Sequence, residues 1–499
     1  MKLFEKIILQ AMVDSIRSFE NATALHIKGV DYTYGYLGER ISSIRKLVRQ
    51  IPADDKIIGL ALHDDVDTYA SIFALWMEGR AYVPLHPLHP VERNNDIVKQ
   101  VSMQWIMDSE IEPKHSACQV ISTAGIHDVE DFLDDWAVSA ETDLAYLIFT
   151  SGSTGTPKGV CISRGNVAAF MSAFWKTGVS VSNHDRCLQC FDMTFDVSVQ
   201  SYLVALTRGA SLFTVPYDVV KFVYVASLIQ EHGITFCAMA PSMLSYLRPY
   251  FDELDAKSLK TCILTAEACP IELMEAWSNC ALNADLYDFY GPTEATIYCT
   301  SYHFIKGQKN YSLNGMLSIG RPLDGIEALF LDEEGNVLPD GEKGELCVAG
   351  QQLSPGYWKD PAKNAAAFFE KEIGGKKLRF YHTGDLCYRD ASGNIMYSGR
   401  IDQQAKIQGY RVELSEIEWH AREYYGDSYR VVAVAYENDA SLTEIALFVE
   451  SEQKDDKPLL SYLRSKMPSY MIPNRVLFVD EFPLNGNEKV DRNKLKKRL

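Results

Sequence analysis

The residues best suited to chemistry form one short run, Thr150-Ser151-Gly152-Ser153-Thr154-Gly155-Thr156-Pro157-Lys158-Gly159, which follows the apolar stretch Leu144–Phe149. Small residues let backbone N–H groups approach a phosphate, hydroxyls add donors, and Lys158 adds a mobile positive charge. The order is not GxxxxGK[ST], so this is not a Walker A loop. A plain flexible Ser/Gly surface loop would not follow directly on a buried strand. Cys187 and Cys190 have CxxC spacing, but the pair stands alone among apolar neighbours and reads as structural, without redox or zinc chemistry.

Further signatures follow in order: Tyr290-Gly291-Pro292-Thr293-Glu294, Gly344-Glu345-Leu346 with Gly356-Tyr357-Trp358, Tyr381-His382-Thr383-Gly384-Asp385, Gly399-Arg400-Ile401-Asp402, Lys406 through Glu413, and Pro483-Leu484 through Lys489-Val490-Asp491-Arg492. Together with the Ser/Gly run they resemble the adenylate-forming superfamily: acyl-CoA synthetases, firefly luciferase and the adenylation domains of nonribosomal peptide synthetases. The resemblance covers nearly the whole chain. It implies that Thr150, Ser151, Gly152, Ser153, Thr154, Gly155 and Lys158 hold the phosphates of ATP. Thr293 would contact the α-phosphate, and Glu294 would help hold Mg²⁺, a hard ion that prefers oxygen ligands. Tyr290 and Asp288 would meet adenine. Asp385 would accept from the ribose hydroxyls, with Arg400 near the ribose or phosphate. Lys489 would bridge the substrate carboxylate and the phosphate as negative charge develops; without the resemblance it would belong to the basic tail that ends the chain. Two residues depart from the pattern, Glu488 before Lys489 and Asp288 before the Tyr290 signature. His382 sits where the family varies and reads as structural or surface.

The amino-acid branch of that superfamily carries an Asp in a Phe-Asp-x-Ser pattern, present here as Phe195-Asp196-Val197-Ser198. A fixed carboxylate pairs with an α-ammonium, which a fatty or aryl acid lacks; Asp196 could otherwise be an ordinary helix N-terminal residue. By the same resemblance the side-chain pocket would be Val197, Gln200, Ala238, Leu264, Ala266, Phe289, Ile297 and Tyr298. Its walls are mostly apolar, so a charged side chain would be left unpaired there at a cost of several kcal/mol. The expected substrate is a small or medium neutral amino acid. Asp196-Val197-Gln200 looks like the start of prolyl-selective pockets, whereas Ala266-Glu267 and the chain length look more like the D-alanine–carrier protein ligases; both stay open. The implied product is an aminoacyl-AMP, passed to the phosphopantetheine thiol of a carrier protein supplied in trans, since the chain stops at Leu499. The rival readings are an acyl- or aryl-CoA synthetase of the same fold and a nucleotide-binding homologue without chemistry.

Positioning these groups takes a large scaffold. With 499 residues, the chain is long enough for roughly 2–4 domains or subdomains. Up to about residue 300, short β-like runs (56–62, 81–85, 144–149, 211–215, 234–239, 261–265) alternate with helical patterns (37–51, 69–76, 222–229). That is the signature of an α/β fold with parallel sheets covered by helices. Beyond about residue 315, Gly- and Asp-rich turns between short strands predict a β-rich lobe. From Asp402 a small α+β domain is expected, with strands near 430–436 and 444–449 and a helix near 459–466. The expected organisation is a large domain, 1–401, and a small mobile domain, 402–499, joined by a hinge at Asp402. A formal net charge of −18 argues against nucleic acid or an anionic membrane as partner. No membrane span or signal peptide is read, and 11 scattered cysteines suit reduced thiols in the cytoplasm.

Overall fold

The computed structural model describes residues 1–110, 118–126, 132–152, 155–401, 404–426, 429–440, 442–451, 455–483 and 490–499. The chain divides into two compact units: Met1–Pro87, Val101–Ile148 and Gly159–Ile401 in the first, Leu88–Gln100, Phe149–Lys158 and Asp402–Leu499 in the second. Two N-terminal segments, one of them the Ser/Gly run, therefore group with the C-terminal residues, which the chain order alone does not suggest.

The first unit is built on two sheets that follow the alternation in the sequence. One has nine strands. Its central six, Thr23–Ile27, Ser211–Thr214, Arg186–Gln189, Phe236–Met239, Thr261–Thr265 and Asp285–Tyr290, run parallel, and antiparallel strands close its edges. The inner strands are buried nearly throughout, as expected where helices cover both faces of a parallel sheet. A seven-stranded sheet contains Ile57–Ala61, Ala81–Leu85 and Leu144–Thr150. The β-rich lobe is a five-stranded antiparallel sheet of Ile326–Leu331, Gly344–Gly350, Phe368–Ile373, Lys376–Arg389 and Ile395–Arg400.

Helix starts follow local chemistry. The Thr33 hydroxyl accepts the Tyr36 N–H, and the Asp65 carboxylate accepts that of Thr68. Ser163 and Asn166 form a reciprocal capping box. Tyr34–Val48 and Val66–Met77 are joined by charge as well as packing. Arg45, fully buried, donates to Glu78 at 2.7 Å, to Asp135 at 3.0 Å and to the Leu133 carbonyl at 2.6 Å.

In the second unit, Gln404–Ile407 and Tyr410–Glu413 form a hairpin. Its two turn residues, Gln408 and Gly409, are both left-handed (φ 50° and 84°), the backbone that matches strand twist in such a turn. A three-stranded sheet, Val431–Glu437, Thr443–Glu450 and Arg475–Val479, packs with Leu414–Tyr425 and Lys457–Lys466 around Ile417, Leu447 and Leu463. The basic tail is anchored, since Asp491 caps Arg492–Lys496 and Leu495 is buried, while Lys494, Lys496, Lys497 and Arg498 are exposed. Among the described residues no helix is long and apolar enough to cross a membrane.

Removing Arg45 would take a buried donor from Glu78, Asp135 and the Leu133 carbonyl, while Arg49 would still reach Glu78 at 2.9 Å and Asp135 at 3.5 Å. Arg45→Ala is expected to destabilise the first unit by about 1–3 kcal/mol, from the lost buried hydrogen bonds, read as a lower urea midpoint by tryptophan fluorescence. An unchanged midpoint would show that Glu78 and Asp135 simply turn to solvent.

Candidate active site

In the first unit the site residues gather at the carboxyl ends of the parallel strands, the edge where open α/β sheets bind ligands. Ala238, Leu264 and Phe289 lie near the ends of three adjacent strands, with Met239 opposite Leu264 and Thr265 opposite Phe289. The strand Arg186–Gln189 leads on to the helix Val197–Leu206, with Asp196 at its head. That carboxyl makes no capping hydrogen bond, so the ordinary helix-start reading is set aside. Its Oδ2 is buried and without a partner. Burial pushes the Asp196 carboxyl up to about 7; the nearby Thr293 hydroxyl pulls it partly back and the Glu294 carboxylate adds to the rise.

One helical turn on, Gln200 is fully buried and its Nε2 has no partner, while its Oε1 accepts from the Tyr298 hydroxyl at 3.4 Å. Phe289 and Tyr298 pack at 5.1 Å between ring centres. Val197, Leu264 and Ile297 are buried with them, and Ala266 is half-buried. Apart from half-buried Ala266, the expected pocket residues are thus buried positions on neighbouring elements, and two of them are aromatic.

The turn after Asp285–Tyr290 is tight. A Cβ on Gly291 would meet the Ile297 carbonyl oxygen at 2.4 Å, so only glycine allows this close approach. Thr296 and Ile297 follow with left-handed backbone, φ 58° and 72°, a conformation β-branched residues adopt only when their surroundings impose it. Thr293 and Glu294 sit on the short 3₁₀ turn between. Glu294 is fully buried, and one of its oxygens accepts from the Tyr357 hydroxyl at 2.7 Å. That partner lies in the Gly-Tyr-Trp signature, to which sequence reasoning gave no role.

Asp385 is buried and bonded at both oxygens, to the Tyr290 hydroxyl at 2.5 Å and to Arg400 Nη1 at 2.9 Å. Arg400 stands directly opposite it across the antiparallel pair Lys376–Arg389 and Ile395–Arg400. The expected ribose acceptor therefore already has two protein partners, and a ribose would share its remaining lone pairs or displace one of them. Asp288 is buried on the strand beside Leu264. His382 bonds Glu345 at 2.7 Å, and Glu345 also accepts the Gly384 N–H; this is a structural role. Cys187 and Cys190 are both buried free thiols, pushed up by desolvation.

In the second unit the Ser/Gly loop has its own set of partners. A Cβ on Gly152 would meet the Thr156 carbonyl oxygen at 2.0 Å, so this position too requires glycine. The Ser151 hydroxyl donates to the Arg411 carbonyl at 2.8 Å and accepts the Glu413 N–H at 3.0 Å. The Gly152 N–H donates to Glu416 Oε2 at 2.9 Å. Lys158 lies 3.6 Å from Glu413. Thr150 is buried and its hydroxyl lacks a partner. Ser153, Thr154, Asp402 and Lys489 lie outside the described residues. The Asp491 N–H donates to the Pro483 carbonyl at 2.7 Å.

A carboxyl with a raised pKa binds more protons folded than unfolded between about pH 4 and pH 7. Its contribution to stability is therefore present at low pH and lost as pH rises through the folded pKa. Asp196→Asn is expected to be more stable than the parent at pH 8 by about 1–3 kcal/mol, with the advantage gone at pH 4. Denaturant titrations at the two pH values check this; no difference at pH 8 would show that the buried carboxylate is already compensated.

Residues 13–358 match the family model described as AMP-binding enzyme. A linear gramicidin synthase of Brevibacillus parabrevis is 32% identical over 98% of this chain, which spans 10% of that much longer protein. Zwittermicin A synthase ZmaJ of Bacillus cereus is 31% identical, over 99% of this chain and 94% of its own length. The adenylation domain AlmE of Vibrio cholerae, solved in complex with glycyl-adenosine-5'-phosphate, has the same fold: TM-score 0.84 and 24% identity, covering 98% of this chain and 97% of that one. The strained Gly291–Ile297 turn, the glycine-dependent Ser/Gly loop and these matches converge: the chain belongs to the AMP-binding enzyme family, within the adenylate-forming superfamily.

Proposed function

We propose that this protein activates a small or medium neutral amino acid, D-alanine or a proline-like one being the candidates, with ATP. It would then pass the aminoacyl group to the phosphopantetheine thiol of a carrier protein. One observation carries the reading: Asp196 is a buried carboxyl with an unpartnered oxygen, at the strand edge, in a pocket with no fixed cation among its described walls. A substrate ammonium supplies the partner it lacks, and a fatty or aryl acid does not. The glycyl-adenylate in the AlmE structure is consistent with such an intermediate.

In the first half-reaction a substrate carboxylate oxygen bonds to the α-phosphorus, and the bond from that phosphorus to the β-phosphate bridge breaks. The products are aminoacyl-AMP and pyrophosphate. Asp196 holds the ammonium, Thr293 contacts the α-phosphate, and the loop 150–158 receives the other phosphates. Lys489 neutralises charge between carboxylate and phosphate. Mg²⁺ suits Glu294, a hard oxygen donor aimed by Tyr357, because this ion takes one or two carboxylates and fills its shell with phosphate and water oxygens; when bound it offsets the phosphate charge. In the second half-reaction the thiol sulfur bonds to the acyl carbon and AMP leaves.

ATP–pyrophosphate exchange over a panel of amino, fatty and aryl acids tests the reading. Exchange is expected only with neutral amino acids. Asp196→Ala should lower kcat/KM by several powers of ten, about 2–5 kcal/mol. The amino-acid KM should also rise as pH falls below about 7, where Asp196 gains its proton. Lys489→Ala should block exchange yet largely spare thioester formation from supplied aminoacyl-AMP. Robust exchange with a fatty or aryl acid and none with amino acids would overturn the assignment.

A further inference from the structure

The second unit contains a buried ion pair that the reaction as described does not use. Arg93, on the helix Val91–Val101, places Nη1 2.8 Å from Glu416 Oε1, on the helix Leu414–Tyr425. The side chains are 6% and 0% exposed. The other oxygen of Glu416 accepts the Gly152 N–H, and one turn earlier Glu413 lies by Lys158 while its own N–H donates to Ser151. Ser151, Gly152 and Lys158 are donors that the nucleotide's phosphates would need. Here all three face residues 411–416.

A carboxylate and a phosphate are both oxyanions. They cannot share one N–H, and side by side they repel. A buried ion pair is also a poor source of stability, since an apolar pair of similar volume often serves as well; what it supplies is a choice between arrangements. We propose that Arg93 and Glu416 are positioning residues for the second half-reaction. The Glu416 carboxylate takes the Gly152 N–H once pyrophosphate has left, and Arg93 holds it there, latching the Tyr410–Glu413 hairpin strand and the helix after it to the emptied loop. This rests on the functional reading above and on the loop being the phosphate site. Pyrophosphate and Glu416 then compete, so departure of the first product prepares the protein for the thiol.

Two variants of the full chain test the latch. Arg93→Met keeps the stem and removes the charge. It is expected to slow aminoacyl transfer from supplied aminoacyl-AMP to phosphopantetheine at least about tenfold, with ATP–pyrophosphate exchange within about twofold of the parent and Arg93→Lys recovering part of the loss. Glu416→Gln is nearly isosteric. It is expected to make pyrophosphate a roughly tenfold stronger inhibitor of that transfer, because a neutral amide no longer repels it. Equal slowing of both half-reactions with unchanged pyrophosphate inhibition would mean the pair is structural only and would overturn the proposal. If Arg93→Met does not fold, Glu416→Gln carries the test. If no amino acid supports exchange even in the parent, the functional reading has failed. The latch is then judged by calorimetry with pyrophosphate alone, where Glu416→Gln must bind more tightly than the parent and equal affinity rejects it.

Discussion

The constraint on which the site depends is the burial of one carboxyl group. Asp196 heads a helix that is itself almost wholly buried, and its charge is felt by the hydroxyls of Tyr82, Tyr146 and Tyr298, all pushed up mainly by desolvation. Water cannot solvate it, no protein cation among the described residues pairs with it, and its proton is held until about neutral pH. Such a group costs stability while uncompensated, and under the proposed function a substrate ammonium would supply the partner it lacks. The aromatic rings near it, Tyr82, Tyr146 and Tyr298, are fully buried and keep water away.

The same logic of enforced geometry shapes the neighbouring turn. Gly291 lets two stretches of backbone touch, and the consecutive left-handed Thr296 and Ile297 store strain that surrounding packing must hold. Between them Thr293 and Glu294 are set on a 3₁₀ turn. The edge of the seven-stranded sheet and the β-rich lobe complete the arrangement within the first unit. Tyr357 fixes Glu294, and the strand pair of Asp385 and Arg400 meets Tyr290. Four sequence signatures that lie apart along the chain thus become one hydrogen-bonded cluster.

In the second unit the Gly152 N–H donates to the Glu416 carboxylate at 2.9 Å. Under the proposed function, phosphate binding there would be a difference between two anions and not an absolute affinity. On that reading the glutamate would cost affinity for ATP and gain order in the sequence of steps.

Much of this was legible in the sequence. The α/β alternation located the buried strands Ile57–Ala61, Ala81–Leu85 and Thr261–Thr265 to within a residue or two, because hydrophobic periodicity is a local property. The Ser/Gly loop, the Gly291 turn and Asp196 were likewise visible as residue types at fixed spacing, since close backbone approach admits little but glycine and the Phe-Asp-x-Ser pattern is a short local one. What the sequence did not reveal was pairing. Nothing local says that Glu294 meets Tyr357, that both Asp385 oxygens are taken, or that Arg93 finds Glu416 across 323 residues of chain. Nor does chain order suggest that Leu88–Gln100 and Phe149–Lys158 belong with the C-terminal unit. Those facts depend on which strands align and which helices stack, and that is settled only when the whole chain has buried its apolar surface. Residue type and spacing determined which chemistry was possible, and tertiary packing decided which partner each charged group received, because the energy of a charge depends on its surroundings far more than on its neighbours in sequence.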